Sequence, residues 1–129
     1  MPLAFSMTFS PALLDRHAAL TGIGPRVLAT LIRTVAWHPR VDRAVIYGSR
    51  GRGQPKYWSD IDFAVYGPEL SVADRRALDW AMEEAPVVYP VDFTHYHSRY
   101  TTDALRRAID RDGVVIYDRA SDPSLATAR

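Results

Sequence analysis

The sequence has 129 residues, 47% of them hydrophobic, which is enough for one domain with a core and too few for two ordinary domains. Its 16 basic and 15 acidic residues give a net charge of +1, which excludes an electrostatic case for bulk binding to nucleic acid or membranes. Cysteine is absent, which excludes disulfides and thiolate metal sites, and no stretch approaches the roughly 20 apolar residues of a membrane span. We expect a cytoplasmic protein without a signal peptide, with no membrane and no direct nucleic-acid partner.

The first part of the chain predicts two helices. Ser10-Pro11 is typical of a helix start, with serine as the N-cap and proline in the first turn, and Gly22 or Gly24 would end that helix. Pro25 begins a second helix. The second helix has a buried stripe at helical spacing, formed by Val27, Leu28, Leu31, Ile32 and Val35. We treat residues 1–24 as an N-terminal extension.

Strands and helices alternate in the rest of the chain. Apolar runs predict strands at residues 44–47, 61–66, 87–94 and 114–117, and residues 48–58 form a glycine-rich basic loop. Pro90 interrupts the third of these strands, so its first half is an edge or lead-in segment. Ser71, with Asp74 as its capping-box partner, begins a helix that runs to about Glu84. A last helix is capped by Thr102 and stopped by Gly113.

This order of elements predicts a single α/β domain over residues 25–118, followed by a polar tail at 119–129. The connection between the first two strands is too short for a parallel crossover helix. We therefore expect a mixed sheet of about four strands, flanked by helices.

Two acidic residues in the second strand region suggest metal chemistry. Asp60 and Asp62 are two residues apart, so both side chains point to one face of a strand, and Ile61 and Phe63 point to the other. Adjacent carboxylates repel unless a cation neutralises them, and their oxygens suit Mg²⁺, which also binds substrate phosphates. Two such ions can clamp a phosphoryl transfer. The alternative is a solvated polar face of an edge strand.

A third acid and a glycine turn extend this pattern. Asp92 lies between two apolar residues of another strand region, and it joins the same site if the two strands are neighbours. There it would bind a second metal ion and attract the proton of an acceptor hydroxyl; the alternative is an ordinary acid at a strand edge. Gly48-Ser49 leaves the first strand, where glycine lets a phosphate approach the backbone closely, although a plain turn would look the same.

Together these residues resemble the DNA polymerase β-type nucleotidyltransferase superfamily. Gly48-Ser49, the pair Asp60 and Asp62, and Asp92 occur in that family's order. The residue patterns at 48–53, 59–62 and 112–117 are similar to those of the minimal nucleotidyltransferase branch. The similarity extends over roughly residues 25–118.

The resemblance implies a fold, a site and a partner. Gly48 and Ser49 would bind the phosphates of a nucleoside triphosphate, ATP being the expected substrate. Asp60 and Asp62 would hold Mg²⁺, with two ions expected, and Asp92 would be the third acid and the base. Members of this branch usually act with a separate helical partner of the HEPN or substrate-binding-subunit type, so we expect a hetero-oligomer. Some are antitoxins that attach AMP to a tyrosine of a partner ribonuclease.

The basic residues around the glycine turn have more than one interpretation. Arg52 and Lys56 can neutralise a triphosphate or face solvent, and the Arg50 side chain can instead brace the domain. Gly51 stands where alanine is commoner in the branch. His95 and His97 alternate along a strand-like segment and lack a further nitrogen or sulfur ligand nearby, so we predict no zinc site.

We therefore expect an Mg²⁺-dependent nucleotidyltransferase that transfers AMP from ATP to a tyrosine of a HEPN-like toxin, with an antitoxin role. One alternative keeps the enzyme and replaces the acceptor with a small-molecule hydroxyl. The other is a non-catalytic antitoxin that masks its partner by binding it.

Overall fold

The structure is a computed structural model, which describes residues 10–53 and 60–121. The elements in chain order are α1 (Pro11–Thr21), α2 (Pro25–Ala36), β1 (Arg43–Tyr47), α3 (Gly48–Gly51), β2 (Ile61–Tyr66), α4 (Val72–Glu84), β3 (Val91–His95), α5 (Asp103–Asp112) and β4 (Val114–Asp118). The predictions for residues 1–9, 54–59 and 122–129, including the role of Lys56, concern residues outside the described ones.

The four strands form one mixed sheet in the order β3-β2-β1-β4. β1 pairs antiparallel with both β2 and β4, whereas β2 and β3 are parallel. The parallel pair is possible because α4 forms the crossover between β2 and β3. In the described part of the segment between β1 and β2, the one helix is the short α3. The predicted α/β class with a mixed four-stranded sheet is confirmed.

The two faces of the sheet carry different helices. The larger hydrophobic core lies between one face and helices α2 and α4, and it includes the fully buried Leu28, Ile46, Phe63 and Leu78. On the opposite face, Ile109 of α5 packs with a smaller cluster from the central strands β1 and β2. Because side chains alternate along each strand, this second face is the one that receives the even-numbered residues of β2.

Helix α4 begins with the predicted capping box. The Ser71 hydroxyl accepts a hydrogen bond from the backbone N–H of Asp74 at 3.0 Å, and the Asp74 carboxylate accepts one from the N–H of Ser71 at 2.9 Å. His38 Nε2 also lies 3.1 Å from Oδ1 of Asp74. The bond from the Ser71 backbone, followed by the bond from His38, lowers the pKa of Asp74. One carboxylate therefore caps α4 and ties it to the turn that follows α2.

Two predicted elements differ from the structure. The third strand region is predicted at 87–94 with a lead-in before Pro90, and β3 itself begins at Val91 and ends at His95. Pro90 has no N–H to add to the ladder, so its only bond to β2 is through its carbonyl, which accepts from Ile61 N at 2.9 Å. The segment after β1, predicted as a loop, begins with the single helical turn α3. The three glycines among residues 48–53 do not indicate a helix, because glycine disfavours helical structure.

The extension before residue 25 contains a folded part. α1 is present, and its N-cap Ser10 accepts a hydrogen bond from Leu13 N at 3.4 Å. Thr21 is fully buried and Ile23 belongs to the larger core, so the described part of the extension packs on the domain.

The Asp74 contacts predict an acid-dependent loss of stability. A carboxylate whose pKa is lowered by folding contributes its full stability above the unfolded value of about 4, and loses it as pH falls through the folded value. Asp74→Asn should therefore be less stable than the wild type at pH 7, and the difference should shrink at acidic pH. Urea unfolding at both pH values measures this. Ser71→Ala is the control, because it should cost about 1 kcal/mol through the lost cap at either pH. A gap between Asp74→Asn and wild type that does not change with pH would contradict this account.

Candidate active site

The register of β2 and β3 brings two of the predicted acids together. Asp62 lies directly beside Asp92 in the parallel pair, and Tyr47 lies beside Asp62 on its other side, in β1. Directly paired residues point to the same face of a sheet, and Asp60, two residues before Asp62, shares that face. All three predicted acids therefore lie on one side of the sheet, the side that carries α5. Asp60 and Asp92 are exposed, and Asp62 is partly buried.

The three acids influence one another electrostatically. Burial raises the pKa of Asp62, and the neighbouring carboxylates Asp92 and Asp60 raise it further. The positive charge of Arg52 opposes this shift of the Asp62 pKa. The site is thus an accumulation of negative charge that favours either a proton or a cation at Asp62.

Gly48 is in close contact with Asp62. Its backbone is left-handed, with φ of 66°, and a Cβ at this position would collide with Oδ2 of the Asp62 carboxylate. Only glycine satisfies both requirements, because other residues rarely adopt this φ and all of them carry a Cβ. Ser49 follows in the first turn of α3 and is partly buried. The predicted phosphate turn therefore lies against one of the predicted metal-binding acids.

A hydroxyl pair lies on the same face as the acids, and sequence reasoning missed it. The hydroxyl groups of Tyr47 and Thr94 are 3.1 Å apart, which joins β1 to β3 across β2. Burial raises the pKa of Tyr47, and the charges of Asp62 and Asp92 act in the same direction, so its phenol stays protonated. The available signal was strand alternation, since Thr94 is two residues beyond Asp92 and Tyr47 directly precedes Gly48.

Arg52 is held at the edge of this site by α5. Its Nη1 lies 3.1 Å from Oδ2 of Asp112, whose side chain is only 7% exposed. Asp112 also accepts a hydrogen bond from Arg111 Nε at 3.0 Å, and its pKa is lowered first by Arg111 and then by Arg52. Gly51 explains the close approach of α3 and α5, because a Cβ there would strike the carbonyl oxygens of Asp112 and Ile46. The departure from alanine at this position thus has a steric reason.

Arg50 is buried and contacts other parts of the domain. It is 3% exposed, its Nη1 donates to the carbonyl of Gly22 at 3.3 Å, and its guanidinium lies 5.2 Å from the ring centroid of Tyr89. These contacts support the bracing alternative for Arg50.

The sequence matches one protein family over most of its length. Residues 29–122 match the family described as "Polymerase beta, Nucleotidyltransferase". The chain belongs to this nucleotidyltransferase family. The resemblance to the polymerase β superfamily is therefore confirmed. No curated protein has a significantly similar sequence.

Solved structures with a similar fold include toxin–antitoxin complexes. A toxin–antitoxin crystal structure with AMP-PNP has a TM-score of 0.54 and 21% identity, over 79% of this chain and 80% of that one. A variant of the MntA–HpeT toxin–antitoxin has a TM-score of 0.54 and 19% identity, over 81% and 82% of the two chains. A tri-AMPylated Shewanella oneidensis HEPN toxin in complex with MNT antitoxin has a TM-score of 0.49 and 19% identity, over 78% and 76%. At these identities the likeness concerns the fold of the nucleotidyltransferase domain.

The acids of this nucleotidyltransferase fit Mg²⁺ only as an incomplete ligand set. Within residues 10–53 and 60–121, no group of three or more His, Asp or Glu side chains is arranged to hold a metal ion. Asp62 and Asp92 nevertheless form an adjacent pair whose repulsion a cation would relieve. Mg²⁺ commonly takes one or two carboxylates and completes its shell with water and substrate phosphates. The residues therefore fit an ion that is bound together with the nucleotide.

The two histidines considered for metal binding have other contacts. His95 Nε2 lies 2.7 Å from Oδ1 of Asp79 on α4, and His97 packs edge-on against Tyr66 at 5.9 Å between ring centroids. In the described segments, the nucleotidyltransferase also has no helix long and apolar enough to cross a membrane.

The contact between Gly48 and Asp62 makes a steric prediction. Gly48→Ala should reduce stability by about 2 kcal/mol, because it combines a φ that alanine rarely adopts with a collision against a carboxylate. The matched control is Gly24→Ala, where a Cβ would meet no atom within 4 Å, and it should stay within about 1 kcal/mol of the wild type. Urea unfolding measures both variants. An equal loss of stability in the two variants would contradict the predicted collision at Gly48.

The raised pKa of Asp62 predicts that its charge destabilises the metal-free fold. An acid that binds its proton more tightly in the folded state loses stability as pH rises from its unfolded value through its folded value. Asp62→Asn should therefore be more stable than the wild type at pH 8 in EDTA, by less than about 1 kcal/mol after solvent screening. The difference should vanish near pH 3. Thermal unfolding measures it, and a destabilised Asp62→Asn at pH 8 would refute the argument.

Proposed function

We propose that this nucleotidyltransferase transfers AMP from ATP, with Mg²⁺, to a tyrosine hydroxyl of a HEPN-like toxin, and that it acts as the antitoxin of that toxin. The observation that carries the proposal is the cross-strand pair of Asp62 and Asp92, beside the glycine turn at Gly48. The proposal includes a hetero-oligomer with this partner and a location in the cytoplasm.

The proposed reaction is a displacement at the α-phosphorus of ATP. The acceptor oxygen forms a bond to this phosphorus while the bond to the bridging oxygen breaks, and pyrophosphate leaves. Asp92 accepts the proton of the acceptor hydroxyl. Bound Mg²⁺ would supply neutralisation of charge on the reacting phosphates. Catalysis of this kind comes mainly from positioning and charge stabilisation, which suits a small site built on rigid strands.

Each residue of the site has a role in this proposal. Asp60 and Asp62, with Asp92, would hold the metal ions. Gly48 and Ser49 would receive the phosphates, since the missing side chain at Gly48 lets a phosphate oxygen approach the backbone beside Asp62. Arg52, whose charge already acts on Asp62, would contact the triphosphate. Lys56 is proposed for the same role on the sequence pattern alone.

An acceptor on another molecule is supported by the position of Asp92. This residue is exposed and lies in β3, an outermost strand of the sheet, so the proposed base is open to a partner at the side of the molecule. The similar folds of the toxin–antitoxin structures support the same class of partner. A small-molecule acceptor remains the alternative substrate.

The proposal is tested on the chain purified with its partner. Incubation with ATP and Mg²⁺ should add one or more AMP units to the partner, as measured by intact mass. Asp60→Ala and Asp62→Ala should each reduce the rate at least about 100-fold, because the phosphate charge is no longer neutralised. Asp15→Ala, an exposed change on α1, is the control and should keep the wild-type rate.

The same variants separate modification from masking. If the partner gains no mass, or if both site variants still neutralise its toxicity, the antitoxin acts by binding and the enzymatic proposal fails. A mass gain on an added aminoglycoside or another small hydroxyl compound, with none on the partner, would favour the alternative substrate.

A further inference from the structure

The outer edge of β3 is unpaired within the described residues. β3 is the last strand on its side of the sheet, with no described strand beyond it. Ile61 N donates to Pro90 O and Tyr96 N donates to Val65 O, both at 2.9 Å. In a parallel pair these bonds recur every second residue, so the even-numbered residues of β3 bond to β2. The backbone groups of Val91 and Phe93 therefore point outward, where a strand can add. The His95 carbonyl already accepts hydrogen bonds from Ser98 N at 3.1 Å and Thr101 Oγ1 at 2.7 Å.

A groove lies along this edge, between β3 and α4. Its volume is about 500 Å³. Its lining includes the apolar side chains of Met82, Val87, Val91 and Phe93 and the carboxylates of Asp79 and Glu83, and most of the exposed lining surface is polar. Val88, beside the groove, is 90% exposed. The groove follows the face of the sheet that carries the odd-numbered residues of β3.

Asp92 projects from the other face of the same edge. If an extended segment pairs with β3, the residue opposite Asp92 points to the acid face, and its two chain neighbours point to the groove. Strand addition would thus do two things at once. It would place one side chain beside the proposed base, and it would bury the flanking side chains among apolar residues.

We infer that the β3 edge docks the acceptor segment of the partner as an added strand, with its hydroxyl residue opposite Asp92. This inference rests on the proposed function. The segment has apolar residues on either side of the acceptor and basic residues beyond them. Apolar flanks match the groove. Basic residues match the negative charge on both sides of the edge, with Glu83 at the groove and Asp60 and Asp92 on the acid face.

The first test is binding, which does not depend on catalysis. The probe is a fluorescein-labelled peptide with a central tyrosine, valine on each side and lysines at both ends, titrated with the full chain by fluorescence anisotropy. Single N-methyl groups are placed on successive backbone amides of the peptide. N-methylation at every second position should weaken peptide binding about tenfold or more, because alternate peptide amides face β3. Uniform effects along the peptide, or no binding, would overturn the inference.

A pair of charge variants tests the groove. Glu83→Lys should weaken peptide binding about tenfold, through lost attraction and new repulsion at the rim. Glu69→Lys makes the same charge change at an exposed position after the C-terminal end of β2, and this variant should bind the peptide like the wild type. Equal affinities for the two variants would overturn the inference. So would a chain that self-associates through this edge, with Glu83→Lys changing its oligomeric state and leaving peptide binding unchanged.

The two proposals fail in different ways. Alternating N-methyl effects on binding, together with no AMP transfer to any acceptor, would support the docking edge and contradict the proposed enzyme. AMP transfer to an acceptor at the same rate in Glu83→Lys and wild type would support the enzyme and overturn the docking edge.

Discussion

The site depends on the enforced proximity of Asp62 and Asp92. Backbone pairing places the two residues side by side on one face of the sheet, close enough for the charge of Asp92 to raise the pKa of Asp62. The cost is small beside the packing beneath them, because fully burying one large aliphatic or aromatic side chain contributes about 1.5–3 kcal/mol. Ile61 and Phe63, on the reverse face of the same strand, are both fully buried. Core packing therefore holds a charge arrangement that is unfavourable without a cation.

The rest of the site is arranged around this pair. Gly48 lies against Asp62 because β1 ends where Tyr47 pairs with it, and the missing side chain leaves room for the carboxylate. On the other side, α5 brings Asp112 to Arg52 and keeps a positive charge within reach of the acids. The negative and the positive charges of the site thus come from different elements. Both are fixed by contacts far apart in the sequence.

Local pattern was sufficient to predict most elements and the shared face of Asp60 and Asp62. The apolar runs of β1, β2 and β4 are short and clear, and the spacing of Asp60 and Asp62 determines that they share a face. The order of the strands in the sheet could not be predicted in this way, because nothing local indicates that β3 lies beside β2 and not beside β4. The contacts between Tyr47 and Thr94 and between Arg52 and Asp112 span 47 and 60 positions and could not be predicted from spacing. The sequence offered bracing of the domain as an alternative for Arg50, and its burial in the structure supports that alternative.

The most direct test is the titration of the Asp62 carboxyl group, measured by carbon-detected NMR in metal-free protein. The account predicts a pKa above the ordinary aspartate value, which Asp92→Asn should lower by removing the adjacent charge. Mg²⁺ added with a non-hydrolysable ATP analogue should lower it as well. An Asp62 pKa at or below the ordinary value, unchanged by Asp92→Asn, would contradict the central claim.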